Sequence, residues 1–87
     1  MYTAEFSDRF LKGIRRVDPA NRRIVAEWIN ANLLENDEPR QFGKALKGTL
    51  SGFWKYRVGQ FRIIAKIDGD KIILLLLDVD HRKDVYR

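Results

Sequence analysis

Seven Lys or Arg residues, Arg40, Lys44, Lys47, Lys55, Arg57, Arg62 and Lys66, fall between Pro39 and Ile67 with no Asp or Glu among them. Residues 1–38 hold six basic and seven acidic side chains, and residues 68–87 hold four and five, so this one segment carries +7 and each flank −1 of the formal net charge of +5. Cations confined to one unit are the footprint of a surface that meets phosphates. A two-residue loop at Gly59-Gln60 sets Val58 opposite Phe61 and Arg57 opposite Arg62, with Lys55 on the same face. Like charges across a strand pair oppose folding on the scale of about 0.2–1 kcal/mol, so stability does not ask for this arrangement. Long basic side chains also keep exposed strands from aggregating, which accounts for any one of the three better than for the trio. Anion binding is the chemistry that accounts for all three together.

A second set of reactive groups lies in Asp78-Val79-Asp80-His81-Arg82-Lys83-Asp84-Val85-Tyr86-Arg87. His81 is the only histidine. An imidazole titrates at about 6.5 without special tuning, so it can give or take a proton at cellular pH. On spacing alone a surface histidine at a strand end is the better reading. Tyr86 has the means to stack on a base or donate a proton, and equally to clamp the chain end onto the core. The carboxylates Asp68, Asp70, Asp78 and Asp80 match no metal-ligand spacing, and the first two read as turn chemistry. There is no glycine-rich phosphate loop and no Ser or Cys nucleophile motif.

The elements that must hold these groups follow from periodicity. Tyr2 to Phe6 alternates as a short opening strand. Ser7 stands where an N-cap belongs, with Phe6 and Leu11 placed as a hydrophobic staple, and Phe10, Leu11, Ile14 and Val17 recur at helical spacing from about Asp8 to Arg16. Asp18-Pro19 is a second helix start, a capping carboxylate followed by a proline at the first helical position. Ile24, Val25, Trp28, Ile29 and Leu33 form its apolar stripe, and the short connection implies an antiparallel helical hairpin. Glu35 to Gly52 reads as a long loop broken by Pro39, Gly43, Gly48 and Gly52. From Phe53 the period becomes two. Trp54, Tyr56 and Val58, then Phe61, Ile63, Ala65 and Ile67, share one face of a hairpin. Asp68-Gly69-Asp70 turns into Ile72 to Leu77, six apolar residues in a row, which predicts a strand buried on both faces. The expectation is an α+β fold of one domain over residues 1–87: a strand, a helical hairpin and an antiparallel β-meander, with the helices on one sheet face.

At 87 residues such a domain buries only about 60–65% of its unfolded surface, so the core is thin. The absence of cysteine removes disulfides and thiolate metal sites, and no apolar run is long enough for a membrane helix. MYTAEFSDRF is no secretory signal, and the chain is read as cytoplasmic.

Three runs together, Lys47-Gly48, Gly52-Phe53-Trp54-Lys55-Tyr56-Arg57-Val58-Gly59-Gln60-Phe61-Arg62-Ile63-Ile64 and His81-Arg82-Lys83-Asp84-Val85-Tyr86, resemble the RelE/ParE superfamily of bacterial toxins, in particular its RelE branch. The resemblance spans nearly the whole chain. It implies the toxin of a type II toxin–antitoxin pair, which enters the ribosomal A site and cuts mRNA without a metal or other cofactor. The ribose 2′-hydroxyl attacks the adjacent phosphorus there, leaving a 2′,3′-cyclic phosphate and a 5′-hydroxyl. That chemistry needs a base, cations for the phosphorane and an acid for the leaving oxygen. The family's basic strand residues fall on Lys55 and Arg57, its next arginine on Arg62, its C-terminal arginine on Arg82 and its aromatic on Tyr86. RelE itself carries lysine where this chain has Arg57, and a guanidinium stays protonated and cannot act as the base. Lys55 and His81 remain rival proton handlers. Lys44 and Lys47 are the expected contacts to ribosomal RNA, or simply solvated surface lysines.

The resemblance also implies a cognate antitoxin, with DNA met only through the antitoxin complex and no membrane contact. Lys12, Arg15, Arg16, Arg22 and Arg23 are candidate antitoxin contacts, or simply a solvated helix face. Two other readings stand beside this one. ParE-like members of the superfamily poison DNA gyrase, and a basic hairpin can hold RNA or a protein without catalysis.

Overall fold

The computed structural model describes residues 1–79, which form one five-stranded sheet with helices packed on one face. The strands are β1 (Thr3–Phe6), β2 (Lys44–Ala45), β3 (Phe53–Val58), β4 (Phe61–Asp68) and β5 (Lys71–Val79); the helices are α1 (Asp8–Arg15) and α2 (Pro19–Ile29). Their order across the sheet is β1-β5-β4-β3-β2. β1 runs parallel to β5, and the remaining pairs are antiparallel. No described helix is long and apolar enough to cross a membrane.

Both helix starts form as their sequences predict. The Ser7 hydroxyl accepts from the Phe10 amide at 3.0 Å and donates to the Leu75 carbonyl at 2.6 Å, so it caps α1 and ties it to β5. Phe6 meets the Phe10 ring at a centroid distance of 5.4 Å, and Phe6 and Leu11 line one apolar cavity. Asp18 caps α2 by accepting from the Asn21 amide, and its hydrogen bonds to Asn21 hold its carboxyl below the ordinary value. Of the α2 stripe, Val25, Ile29 and Leu33 are buried. Ile24 is not: it is 54% exposed and lies beside the β3–β4 turn, at the margin of a stripe too wide for the sheet to cover. A π-helical turn, Asn30–Leu34, extends α2 and brings Leu33 into the core.

The 35–52 segment is more ordered than a long loop. Two 3₁₀ turns, Pro39–Phe42 and Gly48–Leu50, flank β2, a fifth strand that its two-residue length hides from any periodicity argument. Tyr56 fastens this segment to the sheet. Its ring is buried edge-on to Trp28, its hydroxyl donates to the Pro39 carbonyl at 2.8 Å, and it fills the space beside Gly43 that a Cβ would need. From that anchor the chain crosses the β3 edge, pairs as β2, and delivers Leu46 and Leu50 to the opposite face.

The hairpins close as expected. Gly59 and Gly69, with φ of +59° and +60°, take the left-handed turn positions that glycine occupies without strain. The six-residue apolar run in β5 has a different cause from burial on both faces. Ile64 pairs with Leu76 but Ala65 pairs with Leu74, so Leu75 is an extra residue and the side-chain phase slips there. Ile72, Leu74 and Leu77 are buried under the helices, whereas Ile73, Leu75 and Leu76 are half-buried on the opposite face. Alternation is present on either side of the bulge and masked at it.

Two outcomes follow from this packing. A Cβ at Gly13 would overlap the Leu77 carbonyl oxygen, because α1 lies directly on β5. Gly13→Ala gains about 1 kcal/mol of helix propensity and loses about 1–3 kcal/mol to overpacking against backbone that cannot move aside. Urea denaturation is expected to show net destabilisation. Burial pushes the Tyr56 phenol up to about 12. The neutral form is thus favoured in the fold, and that stability is complete below the ordinary tyrosine value of about 10 and is lost as pH rises towards the folded value. Tyr56→Phe is expected to unfold at lower urea at neutral pH, by about 1–3 kcal/mol for the orphaned Pro39 carbonyl, and to show a shallower alkaline decline.

Candidate nucleic-acid interface

The sheet face away from the helices collects the cations. β3 and β4 pair Arg57 with Arg62 and Val58 with Phe61, the register that a two-residue Gly59-Gln60 loop dictates. Lys55 lies two residues along on the same face, and β2 sets Lys44 directly beside Lys55. The face therefore carries one row of Arg57 and Arg62 and a neighbouring row of Lys44 and Lys55. Arg57 and Lys44 are exposed, while Lys55 and Arg62 are half-buried. Lys47 is exposed where the chain enters the Gly48–Leu50 turn. Arg40 and Lys66 are exposed as well, and Lys66 pairs with Phe53. His81, Arg82 and Tyr86 lie outside the described residues.

One member of the site escapes sequence reasoning. Asp78 on β5 stands opposite Arg62 and completes the row Arg57, Arg62, Asp78. Its carboxylate grips Arg62 side-on, with Nε to Oδ1 at 3.0 Å and Nη2 to Oδ2 at 2.7 Å. A bidentate guanidinium–carboxylate pair fixes the plane as well as the position of the cation. Asp78 also supplies the opposite charge that lets two arginines face each other across a strand pair. The signal was hard to see because an unbroken register from the Gly69-Asp70 turn would place Leu77 opposite Arg62; only the extra residue at Leu75 brings Asp78 there.

Beside these rows the face is apolar. Leu46, Leu50, Phe53, Ile64, Leu75 and Leu76 line a shallow basin of about 690 Å³, with Lys55 and Arg62 at its edge and Ser7, Asp8 and Arg9 closing it on the α1 side. The face thus joins fixed cations, suited to phosphates, to a patch with little hydrogen-bonding capacity of its own.

Comparison with known proteins agrees with this fold. A sequence model of the family described as ParE toxin of type II toxin-antitoxin system, parDE, matches residues 4–86. Toxin RelG of Mycobacterium tuberculosis (strain ATCC 25618 / H37Rv) is 31% identical over 86 residues, covering 99% of this chain and 97% of the relative. The chain belongs to the RelE/ParE superfamily of toxins. Among solved structures, the toxin–antitoxin complex RelBE2 of Mycobacterium tuberculosis contains a chain that aligns at a TM-score of 0.81 and 26% identity, over 90% of this chain and 96% of that one. The isolated RelE toxin of E. coli aligns at 0.75 and 20% identity, over 99% and 92%, and shows the shared fold. This RelE/ParE toxin is thus of the type II toxin–antitoxin class, with the α+β architecture of the RelE-like fold.

In this RelE/ParE toxin the Asp78 contact carries its own expectation. Asp78→Ala removes a carboxylate that offsets the repulsion between Arg57 and Arg62 and is expected to cost up to about 1 kcal/mol, the upper end for an exposed pair. Molar salt screens that repulsion, so the deficit measured by urea denaturation should shrink as salt is raised.

Proposed function

We propose that this toxin is a ribosome-dependent endoribonuclease that cleaves mRNA in the A site and so inhibits translation, with a cognate antitoxin as its regulatory partner. The observation that carries the reading is the convergence of Lys44, Lys55, Arg57 and Arg62 on the sheet face that no described helix covers. Folding gains nothing from placing those four charges together, and a phosphodiester backbone gains a great deal. Structural relatives solved as toxin–antitoxin complexes support the partner.

The chemistry follows the family's pattern. The 2′-oxygen attacks the adjacent phosphorus as its proton leaves to Lys55 or His81. The bond from phosphorus to the 5′-oxygen then breaks, and that oxygen takes a proton from an acid, a role that suits Tyr86. A 2′,3′-cyclic phosphate and a 5′-hydroxyl remain, with no water consumed. Arg57, Arg62 and Arg82 stabilise the charge that builds on the non-bridging oxygens. Arg57 stays protonated throughout, so its part is electrostatic. Arg62 is held in plane by Asp78 and needs little reorganisation when that charge develops. Lys44 and Lys47 meet ribosomal RNA phosphates outside the reacting centre.

A second reading has one observation behind it, the match of the ParE family model to residues 4–86. A gyrase-directed toxin of this fold inhibits supercoiling and cuts no RNA.

Programmed ribosomes with end-labelled mRNA separate the two. The toxin is expected to cut inside the A-site codon with EDTA present and to leave gyrase supercoiling unchanged. Arg62→Ala is expected to slow cleavage by at least about 100-fold, on the scale of removing one oxyanion donor. Wild-type rates in Arg62→Ala would remove the central role of the row.

A further inference from the structure

We infer that a cleft at the end of β5, beside the Arg57–Arg62–Asp78 row, is a subsite for a purine base of single-stranded RNA, read by Arg16 and Gln60. It deepens the RNA-directed function proposed above and rests on it. Gly13 lets α1 lie against the backbone at Leu77, and the helix then ends at Arg16. Between that helix end, the β3–β4 turn and the end of β5 a cleft of about 390 Å³ stays open. This falls within the range of about 300–1,000 Å³ usual for small-molecule sites.

Three features select the occupant. The first is the division of the lining: Val17, Phe61, Leu77 and Val79 are apolar, whereas Arg16, Asp18, Gln60 and Asp78 are polar. A planar ring with hydrogen-bonding edges needs that mixture. Two carboxylates and one guanidinium give the cleft no cationic excess, so a phosphate belongs on the row and a neutral ring in the cleft. The basin beside the rows, with Leu46, Leu50, Leu75 and Leu76 in its lining, offers a base edge far less.

The second feature is which polar groups are already committed. Both Asp18 oxygens accept from Asn21, and both Asp78 oxygens accept from Arg62. Arg16 and Gln60 are exposed, and neither side chain has a hydrogen bond or ion pair among the described residues. The turn needs glycine at position 59, with its φ of +59°, and leaves position 60 open. Glutamine pairs with adenine and arginine with guanine through two parallel bonds on an edge where a pyrimidine offers no such pair. The third feature is continuity. Asp78 lines the cleft and holds Arg62, and Gln60 lies two residues from Arg62, about 7 Å along an extended strand. An RNA strand with a phosphate on the row can therefore turn the adjoining base into the cleft.

The test follows the full chain by NMR, through its backbone amides, glutamine side-chain amides and Val and Leu methyls. The probe is a short single-stranded purine RNA. Its controls are an abasic strand of equal length, a pyrimidine strand and a free purine nucleoside monophosphate. The purine strand is expected to shift the Arg57 and Arg62 amides together with the Val17, Leu77 and Val79 methyls and the Gln60 side chain, whereas the abasic strand shifts Arg57 and Arg62 alone. It is expected to bind at least about 5-fold more tightly than the abasic strand, the low end for one stacked base, and at least about 5-fold more tightly than the pyrimidine strand. Arg16→Ala combined with Gln60→Ala is expected to lose the margin over pyrimidine while the unfolding midpoint stays close to wild type. A margin that survives the double substitution overturns their role as readers. Equal binding of purine and abasic strands, base-dependent shifts confined to Leu46, Leu50 and Leu75, or a monophosphate that binds as tightly as the strand overturns the subsite. Shifts at Arg57 and Arg62 without shifts in the cleft remove the subsite alone. No response of either to any strand removes the RNA reading of the open face as well.

Discussion

The structure turns on one extra residue in β5. Leu75 has no partner in β4, and the slip it causes decides what each half of the strand presents to each face. Before it, Ile72 and Leu74 point to the helices; after it, Leu77 does, and Leu76 and Asp78 are released to the open face. The Ser7 hydroxyl bonds the carbonyl of this same residue while capping α1, so the helix start and the strand irregularity are one assembly. Without the slip Asp78 would point beneath the helices, where an unpaired carboxylate costs several kcal/mol, and Arg62 would face a leucine. The bulge therefore serves the core and the cationic row at once.

The two faces of the sheet divide the work. The helix-covered face holds Tyr56, Ile63, Leu74 and the other fully buried side chains, and it bears nearly all of the hydrophobic stabilisation that a chain of this size can gather. The open face holds charges that repel each other and aliphatic groups that remain wet. Tyr56 is the link between them. It is buried on the first face, yet through Pro39 and Gly43 it fixes the segment that turns around the β3 edge and places Lys44, Leu46 and Leu50 on the second.

Much of the fold was legible because local chemistry dictated it. Ser7 and Asp18-Pro19 are strong helix starts, Gly59-Gln60 leaves one comfortable hairpin register, and the period-two pattern from Phe53 to Ile67 marks its own inward face. What escaped was non-local. The parallel pairing of β1 with β5 joins strands nearly seventy residues apart, β2 is too short to have a period, and the bulge at Leu75 sits inside an all-apolar run where a slip leaves no trace. The site divides in the same way. Lys55, Arg57 and Arg62 could be grouped from one turn, whereas Asp78 needed the register of a second strand pair that only the folded chain reveals. His81, Arg82 and Tyr86 lie outside the described residues, so their grouping with these cations rests on the family resemblance.

The carboxylate at the end of the row bears on how such a face can act. A surface made only of cations would attract any polyanion and hold none of it in register, because flexible lysines and arginines follow their ligand. Anchoring Arg62 to Asp78 removes one unit of positive charge from the attraction and turns a mobile guanidinium into a fixed one. In this site geometry is gained at the expense of affinity. That exchange suits a catalyst, which needs charge placed where it develops in the transition state, better than it suits a simple polyanion binder. Relatives of this fold differ in what they attack, so the distinguishing information lies in such details of the open face and not in the sheet that carries them.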